Sequence, residues 1–158
     1  MSVAFTKESD SEAVAADLPD RPISVHPNLV TPAGLASIDA RLALAKTAYA
    51  EAQAGGAITA DRTAMARATR DLRYWSARRA SAQLIEAVVG DVIVFGARVT
   101  FEHADGRVQT YTITGEDEAD PANGSVSYVS PLARALTGKA VGESAVVAGG
   151  EVEILEIC

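Results

Sequence analysis

Two runs of apolar residues with helical spacing flank a glycine pair, and this pattern constrains the fold of the chain more than any other feature. The spacings alternate between three and four on both sides of Gly55 and Gly56, and the second run resumes at Ala82 after a polar break at Arg79. The residues are Leu35, Ile38, Leu42, Ala45 and Tyr49, then Met65, Ala68, Leu72 and Trp75. Such spacing is typical of a coiled-coil seam. The sequence therefore predicts an antiparallel helical hairpin over residues 29–87.

Local signals indicate where the two helices begin and end. Thr31 is a suitable N-cap, and Pro32 occupies the first helical position, where a missing N–H costs nothing. The glycine pair ends the first helix. The second helix is expected to run from Thr59 or Asp61 to Glu86.

Residues 1–28 are predicted to be a disordered polar tail, because Pro19, Pro22 and Pro27 interrupt any regular element. The tail has neither the basic region nor the apolar core of a signal peptide, and no apolar run approaches the roughly 18 residues of a membrane span. The lone cysteine, Cys158, excludes an internal disulfide, which fits a reducing compartment. We expect a cytoplasmic protein without a membrane partner.

The charge of the chain is unevenly distributed. The formal net charge of -7 argues against general binding to a phosphate backbone. Residues 61–87 nevertheless hold six arginines against three acids, whereas residues 88–158 hold four basic and eleven acidic residues. A charge run of this kind is interpreted first as a solvated helix face. The alternative is a stripe that faces a partner. Trp75, within the same helix, is interpreted as a packing anchor rather than a ligand platform.

After Gly90 the periodicity changes from helical to alternating, which predicts strands. A turn is expected at residues 104–106, a short helix begins at Pro131 and ends before Gly138, and two closing strands flank residues 149–150. The candidate buried positions of the first two strands are Val99, Phe101, Val108, Tyr111 and Ile113. Residues 88–158 are therefore predicted to form a small α+β domain with a mostly antiparallel sheet.

The residues that carry chemistry do not cluster in the sequence. His26 and His103 have no second ligand at metal-binding spacing, and no nucleophile elbow, phosphate loop or dinucleotide fingerprint occurs. An acidic run could hold a hard cation but lacks the spacing of an EF-hand loop, so a solvated turn is favoured. Its members are Glu116, Asp117, Glu118 and Asp120. We predict no catalytic residue, no metal ligand and no cofactor, and expect that the protein is not an enzyme.

Several motifs nevertheless point to a known family. The segments VVGDVIVFGARVTF, TITGEDEADPANGSVSYVSPLARALTGKAVGESAVV and GGEVEILEI follow one another over residues 88–157. Together they resemble the C-terminal domain of the GreA/GreB transcript-cleavage factors, which are bacterial proteins that bind RNA polymerase. The opening LVTPAGLASIDARL and the stretch RDLRYW resemble parts of the family's helical hairpin.

The resemblance implies a specific architecture and mode of action. The C-terminal domain of the family is similar to the FK506-binding-protein fold and docks on the rim of the polymerase secondary channel. The helical hairpin enters that channel, and two acids at its tip help to hold a second Mg²⁺ at the active site. Carboxylates and metal would activate water and offset charge on the phosphodiester that is cut.

This sequence departs from the family at the tip. The family pattern is a glycine followed by D-x-x-E, but the stretch from Gly56 reads G-A-I-T-A-D. The two acidic positions fall on Ala57 and Ala60, with Thr59 at the serine position and Asp61 at the asparagine position. Alanine has no oxygen to offer a metal. The hairpin is also about a heptad shorter than expected, which reduces its reach by about 10 Å.

The resemblance therefore implies a regulator that binds bacterial RNA polymerase without stimulating cleavage. Candidate contacts are Pro131 and Arg134 on the short helix and Arg62 and Arg67 on the hairpin, and we expect Leu132 and Leu136 to face the core. We expect a monomer that contacts transcript or DNA only indirectly, within the complex.

Three alternatives remain. The protein could be an active cleavage factor that uses Asp61 and a neighbouring acid. It could be a peptidyl-prolyl isomerase, because the domain fold is shared. Finally, it could be a regulator with another target, like the short-coil regulators of nucleoside diphosphate kinase.

Overall fold

The computed structural model describes residues 18–55 and 59–158, with the backbone alone at residues 59–61. The chain divides into two compact units. Within the described residues, the first comprises residues 18–25 with Ile38–Ser81, and the second comprises His26–Ser37 with Ala82–Cys158. A helical hairpin followed by a β-rich domain confirms the predicted α+β class. No helix in the described parts of the chain is both long and apolar enough to cross a membrane.

The hairpin consists of helix α1, Pro32–Ala54, and helix α2, Thr59–Ser81. The two helices are antiparallel, because contacts join the beginning of α1 to the end of α2. Arg79 Nε donates a hydrogen bond to Asp39 Oδ1 at 2.6 Å. The guanidinium of Arg41 lies 4.9 Å from the ring centre of Trp75.

The predicted seam of the hairpin is confirmed by burial. Its buried members are small or rigid side chains, and the remaining members are half-buried. The buried set is Ile38, Ala45, Ala68 and Trp75, and the half-buried set is Leu35, Leu42, Tyr49, Met65 and Leu72. Trp75 packs edge-to-face on Tyr74 with ring centres 4.9 Å apart, as expected of a packing anchor.

The predicted end of helix α2 at Glu86 is wrong, since the helix ends at Ser81. The chain then forms strand β2, Gln83–Leu84, which pairs in parallel with strand β1, Leu29–Val30. The Gln83 amide donates to the Asn28 carbonyl at 2.8 Å, and the Ile85 amide donates to the Val30 carbonyl at 2.9 Å. These long-range hydrogen bonds satisfy the backbone outside the helix, which a periodicity in sequence does not reveal.

A five-stranded sheet forms the second unit together with a short helix. In chain order the strands are β3 Arg98–His103, β4 Val108–Thr114, β5 Ser125–Ser127, β6 Ser144–Val147 and β7 Gly150–Ile157, and helix α3, Pro131–Leu136, lies between β5 and β6. The order across the sheet is β5-β4-β3-β7-β6. All pairs are antiparallel except β4 with β5. The predicted strands, short helix and turns of this domain are confirmed.

The core of this unit is built mainly from aliphatic side chains around Phe101. Val99, Phe101 and Ile113 are buried as predicted, and Tyr111 is half-buried. The prediction that Val108 is buried is wrong, because its side chain is 53% exposed. Strand side chains alternate between faces, and Val108 is an odd number of positions from Tyr111. The core-facing partner of Phe101 is instead Gln109, directly opposite it in the ladder.

Residues 18–28 contain no helix or strand, but several of their side chains make specific contacts. The Arg21 guanidinium lies 3.9 Å from the ring centre of Tyr74, and its Nη1 is 3.5 Å from Asp71 Oδ1. In the other unit, Asn28 is buried and the Tyr128 hydroxyl donates to the Pro27 carbonyl at 2.5 Å. The remainder of the predicted tail, residues 1–17, lies outside the described residues.

Candidate functional site

The tip of the hairpin lies mostly outside the residues that the structure describes. Ala57 lies outside the described residues. The first turn of helix α2 contains Thr59, Ala60 and Asp61, for which the structure describes the backbone alone. The tip residues therefore stay a prediction from sequence.

The arginines of helix α2 occupy different environments. Arg62 and Arg67, the two predicted partner contacts, are exposed. Arg73 Nη1 lies 3.2 Å from Asp20 Oδ1, and Arg79 is paired with Asp39, so these two form partly exposed ion pairs within the first unit. The exposed, ion-paired Arg73 and Arg79 fit the interpretation as a solvated face, and the assignment of the exposed Arg62 and Arg67 as partner contacts stays a prediction.

Arg78 is an arginine of structural importance that the sequence interpretation missed. It is only 2% exposed, and it is among the largest fully buried side chains of the protein. The spacing of Asp71, Tyr74 and Arg78 puts the three on one face of α2, adjacent to the predicted seam. Arg21 lies against Asp71 and Tyr74 on this face. The apolar periodicity of the seam could not reveal a second buried face that is polar.

Helix α3 presents the other predicted docking residues. Ser130 caps the helix by accepting a hydrogen bond from the Ala133 amide at 3.2 Å, and Pro131 starts it. Leu136 is fully buried, as expected, whereas Leu132 is half-buried. Pro131 and Arg134 are exposed. The helix thus turns its leucines inward and leaves these two candidate contacts accessible.

Arg134 also stands at the edge of an aromatic cavity. Phe95 and Tyr128 line this cavity, with ring centres 5.7 Å apart in an edge-to-face arrangement. His26 belongs to the same lining, and the cavity measures about 480 Å³. A cation beside aromatic and aliphatic walls is an arrangement common at protein interfaces.

The acidic loop between β4 and β5 contacts the start of helix α1. Thr31 Oγ1 accepts a hydrogen bond from the Gly34 amide at 3.0 Å and donates one to Glu118 Oε2 at 2.6 Å. Gly115, at the start of the loop, approaches the Leu29 carbonyl so closely that a Cβ there would collide with it. The predicted solvated turn holds for Asp120, which is exposed, but not for Glu118, which is partly buried.

His103 and Cys158 lie apart from these features. His103 Nε2 lies 2.7 Å from Gln109 Oε1, and the ring stacks edge-on against Phe101. The exposed Cys158 thiol donates a hydrogen bond to Glu156, which raises the pKa of Cys158. Across the described residues, no three His, Cys, Asp or Glu side chains gather in a way that could hold a metal ion.

Comparison with known proteins bears on the second unit. Residues 88–158 match the family described as "Transcription elongation factor, GreA/GreB, C-term". The C-terminal domain belongs to the GreA/GreB family. The predicted resemblance is thereby confirmed for this part of the chain.

Curated relatives match about half of the protein. Transcription elongation factor GreA of Desulfovibrio desulfuricans is 44% identical over 75 residues, which cover 46% of this chain and 46% of that protein. Transcription elongation factor GreA of Anaeromyxobacter sp. is 48% identical over 79 residues, which cover 47% of this chain and 48% of that protein. The chain thus spans about half the length of the curated relatives it matches.

Among solved structures, GreA factor homolog 1 (Gfh1) of Thermus thermophilus is 20% identical with a TM-score of 0.39, over 84% of this chain and 99% of that one. A GreA/GreB elongation factor from Nitrosomonas europaea is 15% identical with a TM-score of 0.37, over 82% of this chain and 97% of that one.

Proposed function

We propose that this protein is a GreA/GreB-type transcription regulator that binds bacterial RNA polymerase at its secondary channel and does not stimulate transcript cleavage. One combination of features carries the proposal. A GreA/GreB C-terminal domain follows a helical hairpin whose tip has alanine at positions 57 and 60, where the family has acids. The proposed mode of action is occupancy, by which the protein blocks access, competes with cleavage factors or alters pausing and initiation.

The residue types at the tip support the proposed lack of cleavage stimulation. Holding a second Mg²⁺ requires oxygen ligands, and carboxylates are the side chains that supply them with compensating charge. Ala57 and Ala60 supply none, and Asp61 alone is a poor site for a divalent cation. The protein is therefore proposed not to be an enzyme and to hold no metal of its own.

Exposed residues in each unit support the proposed binding to RNA polymerase. Pro131 and Arg134 are exposed on helix α3, and Arg62 and Arg67 are exposed on helix α2. Arg134 makes no ion pair with any described residue, so its guanidinium is available to an acidic partner. With 23 residues in each helix, the hairpin is about 35 Å long. In the proposed complex, it extends into the channel with its arginines toward acidic walls or nucleic acid.

The rival function is active stimulation of cleavage, with Asp61 and a neighbouring acid as metal contacts. It is favoured by the relatives, which carry the name transcription elongation factor GreA. It requires that one carboxylate at the family's asparagine position replace the two that are absent.

Binding is tested first, with purified core RNA polymerase and labelled full-length protein. Arg134→Ala should weaken binding by about fivefold or more, as expected for an arginine at an interface. Arg107→Ala, an exposed arginine at the β3–β4 turn, is the matched control and should leave the affinity unchanged. Failure of the unaltered protein to bind polymerase would refute the proposal. Capture of a nucleoside diphosphate kinase instead would support the regulator with another target.

A further inference from the structure

The sheet of the C-terminal domain ends in an unpaired strand beside a cavity. Strand β6 occupies one edge of the sheet and pairs only with β7. Within the described residues, no other backbone hydrogen bond involves residues 144–147. Val146 on this strand is 78% exposed. A free edge with an exposed β-branched residue is a template for another strand, and natural proteins usually protect such edges with charge or proline.

The inner side of this edge opens on an apolar cavity of about 370 Å³. Leu132 of helix α3, Phe101 of β3 and Val147 of β6 contribute to its walls. Because strand side chains alternate between the two faces, a strand added along β6 would direct every second side chain toward this cavity. Apolar side chains of moderate size fit such a lining.

The cavity has one polar corner with an unused hydrogen-bonding atom. His103 is only 9% exposed, and its Nδ1 is buried without a hydrogen-bond partner. Its Nε2 faces Gln109 Oε1, which can only accept, so Nε2 is the donor, and in the tautomer that carries its proton on Nε2 alone, Nδ1 is left as an acceptor. Nδ1 lies beside Gly149, where an added Cβ would be 3.5 Å from it. An N–H or O–H group entering the cavity would satisfy this nitrogen.

The outer side of the same edge is acidic. Glu102 and Glu153 lie directly opposite each other on β3 and β7, and Glu151 lies opposite Val146. Like charges in directly opposed positions destabilise a sheet. All three acids line a depression of about 320 Å³ together with Ser144 of β6. A strand added along β6 would lie two strands from β7, so long lysine or arginine side chains extending over β6 would approach Glu151 and Glu153.

We propose that strand β6 binds an extended peptide segment in which apolar and basic side chains alternate. The backbone of the segment continues the sheet, its apolar side chains face the His103 cavity, and its basic side chains face the glutamates. Recognition by strand addition derives affinity from main-chain hydrogen bonds and specificity from the alternation. The acidic outer face disfavours a second copy of this chain as the added strand. This site does not depend on the proposed action on polymerase.

The direct test uses the full chain and two synthetic peptides of equal length and composition. In one, valine and lysine alternate; in the other, the valines and lysines are segregated into blocks. The alternating peptide should bind at least about tenfold more tightly and should shift the amide resonances of residues 144–147, because only it satisfies both faces at once. Equal binding of the two peptides, no binding of either, or shifts confined to residues away from β6 would overturn the proposal.

Variants separate the contributions of the two faces. Gly149→Ala adds a methyl group beside His103 and should weaken the alternating peptide several-fold. Gly90→Ala is the matched control, because an added Cβ there meets nothing within 4 Å. The double variant Glu151→Gln, Glu153→Gln should weaken binding by about fivefold, because the basic side chains of the peptide lose the negative charge beyond β6. No effect of Gly149→Ala, or a concentration-dependent dimer that dissociates when Val146→Lys is introduced, would contradict an external peptide as the occupant.

Discussion

Thr31 makes two hydrogen bonds whose partners stand three and 87 residues away in sequence. The first, from the Gly34 amide, follows from the N-cap preference of threonine before Pro32, and it was predictable. The second, to Glu118, could not be predicted, because nothing local to an acidic loop reveals which distant donor it will meet. The same holds for Arg78, whose burial on a second face of α2 leaves no apolar periodicity to detect.

Removing the Thr31 hydroxyl tests how much this cap contributes. Thr31→Ala should lower the free energy of unfolding by about 1–2 kcal/mol, because the first turn of α1 and Glu118 both lose a hydrogen-bond partner. Thr47→Ala is the control, since its exposed hydroxyl bonds only to the Ala43 carbonyl within the same helix. Alanine is also the better helix former, so the control should stay within about 0.5 kcal/mol. Urea unfolding followed by the fluorescence of Trp75, the only tryptophan, provides the measurement. Equal losses in both variants would contradict the role assigned to Thr31.

The thiol of Cys158 offers a second test at this scale. Its hydrogen bond to Glu156 raises the pKa of Cys158, so at neutral pH a smaller fraction is thiolate than in an unperturbed cysteine. Alkylation near neutral pH should therefore be slower than for an unstructured cysteine peptide, and Glu156→Gln should accelerate it. A rate that does not respond to Glu156→Gln would contradict this cause.

At the scale of the secondary-structure elements, local sequence patterns predicted which helices and strands exist. They failed where contacts with residues distant in sequence set the end of an element. The seam, the antiparallel hairpin, the turn at Gly106 and helix α3 follow from spacing, caps and glycines. Helix α2 ends before Glu86 because strand β1 competes for the backbone of the following residues. Val108 was misassigned within a correctly predicted strand, and strict alternation would have put it on the solvent face.

Neighbouring arginines near the end of helix α2 test the buried face of the hairpin. Arg78→Ala should cost about 2–4 kcal/mol of stability, because it removes a large side chain that is 2% exposed and leaves a cavity. Arg79→Ala removes an ion pair whose two side chains are 45% and 51% exposed. It should cost less than about 1 kcal/mol. Chemical denaturation of the two variants side by side decides the matter, and indistinguishable midpoints would show that Arg78 does not support the hairpin.

At the scale of the whole molecule, the sequence motifs predicted the family of the C-terminal domain more securely than the action of the protein. The match to the GreA/GreB family lies in residues 88–158, whereas the claim about cleavage depends on Ala57 and Ala60 at the hairpin tip. The exposed candidates on α2 and α3 make binding to polymerase a testable proposal for each unit separately.

Transcript cleavage in a backtracked RNA polymerase complex tests the central claim most directly. The protein is added at concentrations that saturate its binding to the polymerase, with a cleavage-competent GreA as the positive control. The account predicts no stimulation above the intrinsic rate, and it predicts that adding this protein reduces the stimulation produced by GreA. Robust cleavage that disappears with Asp61→Ala would contradict the account and establish the protein as an active cleavage factor.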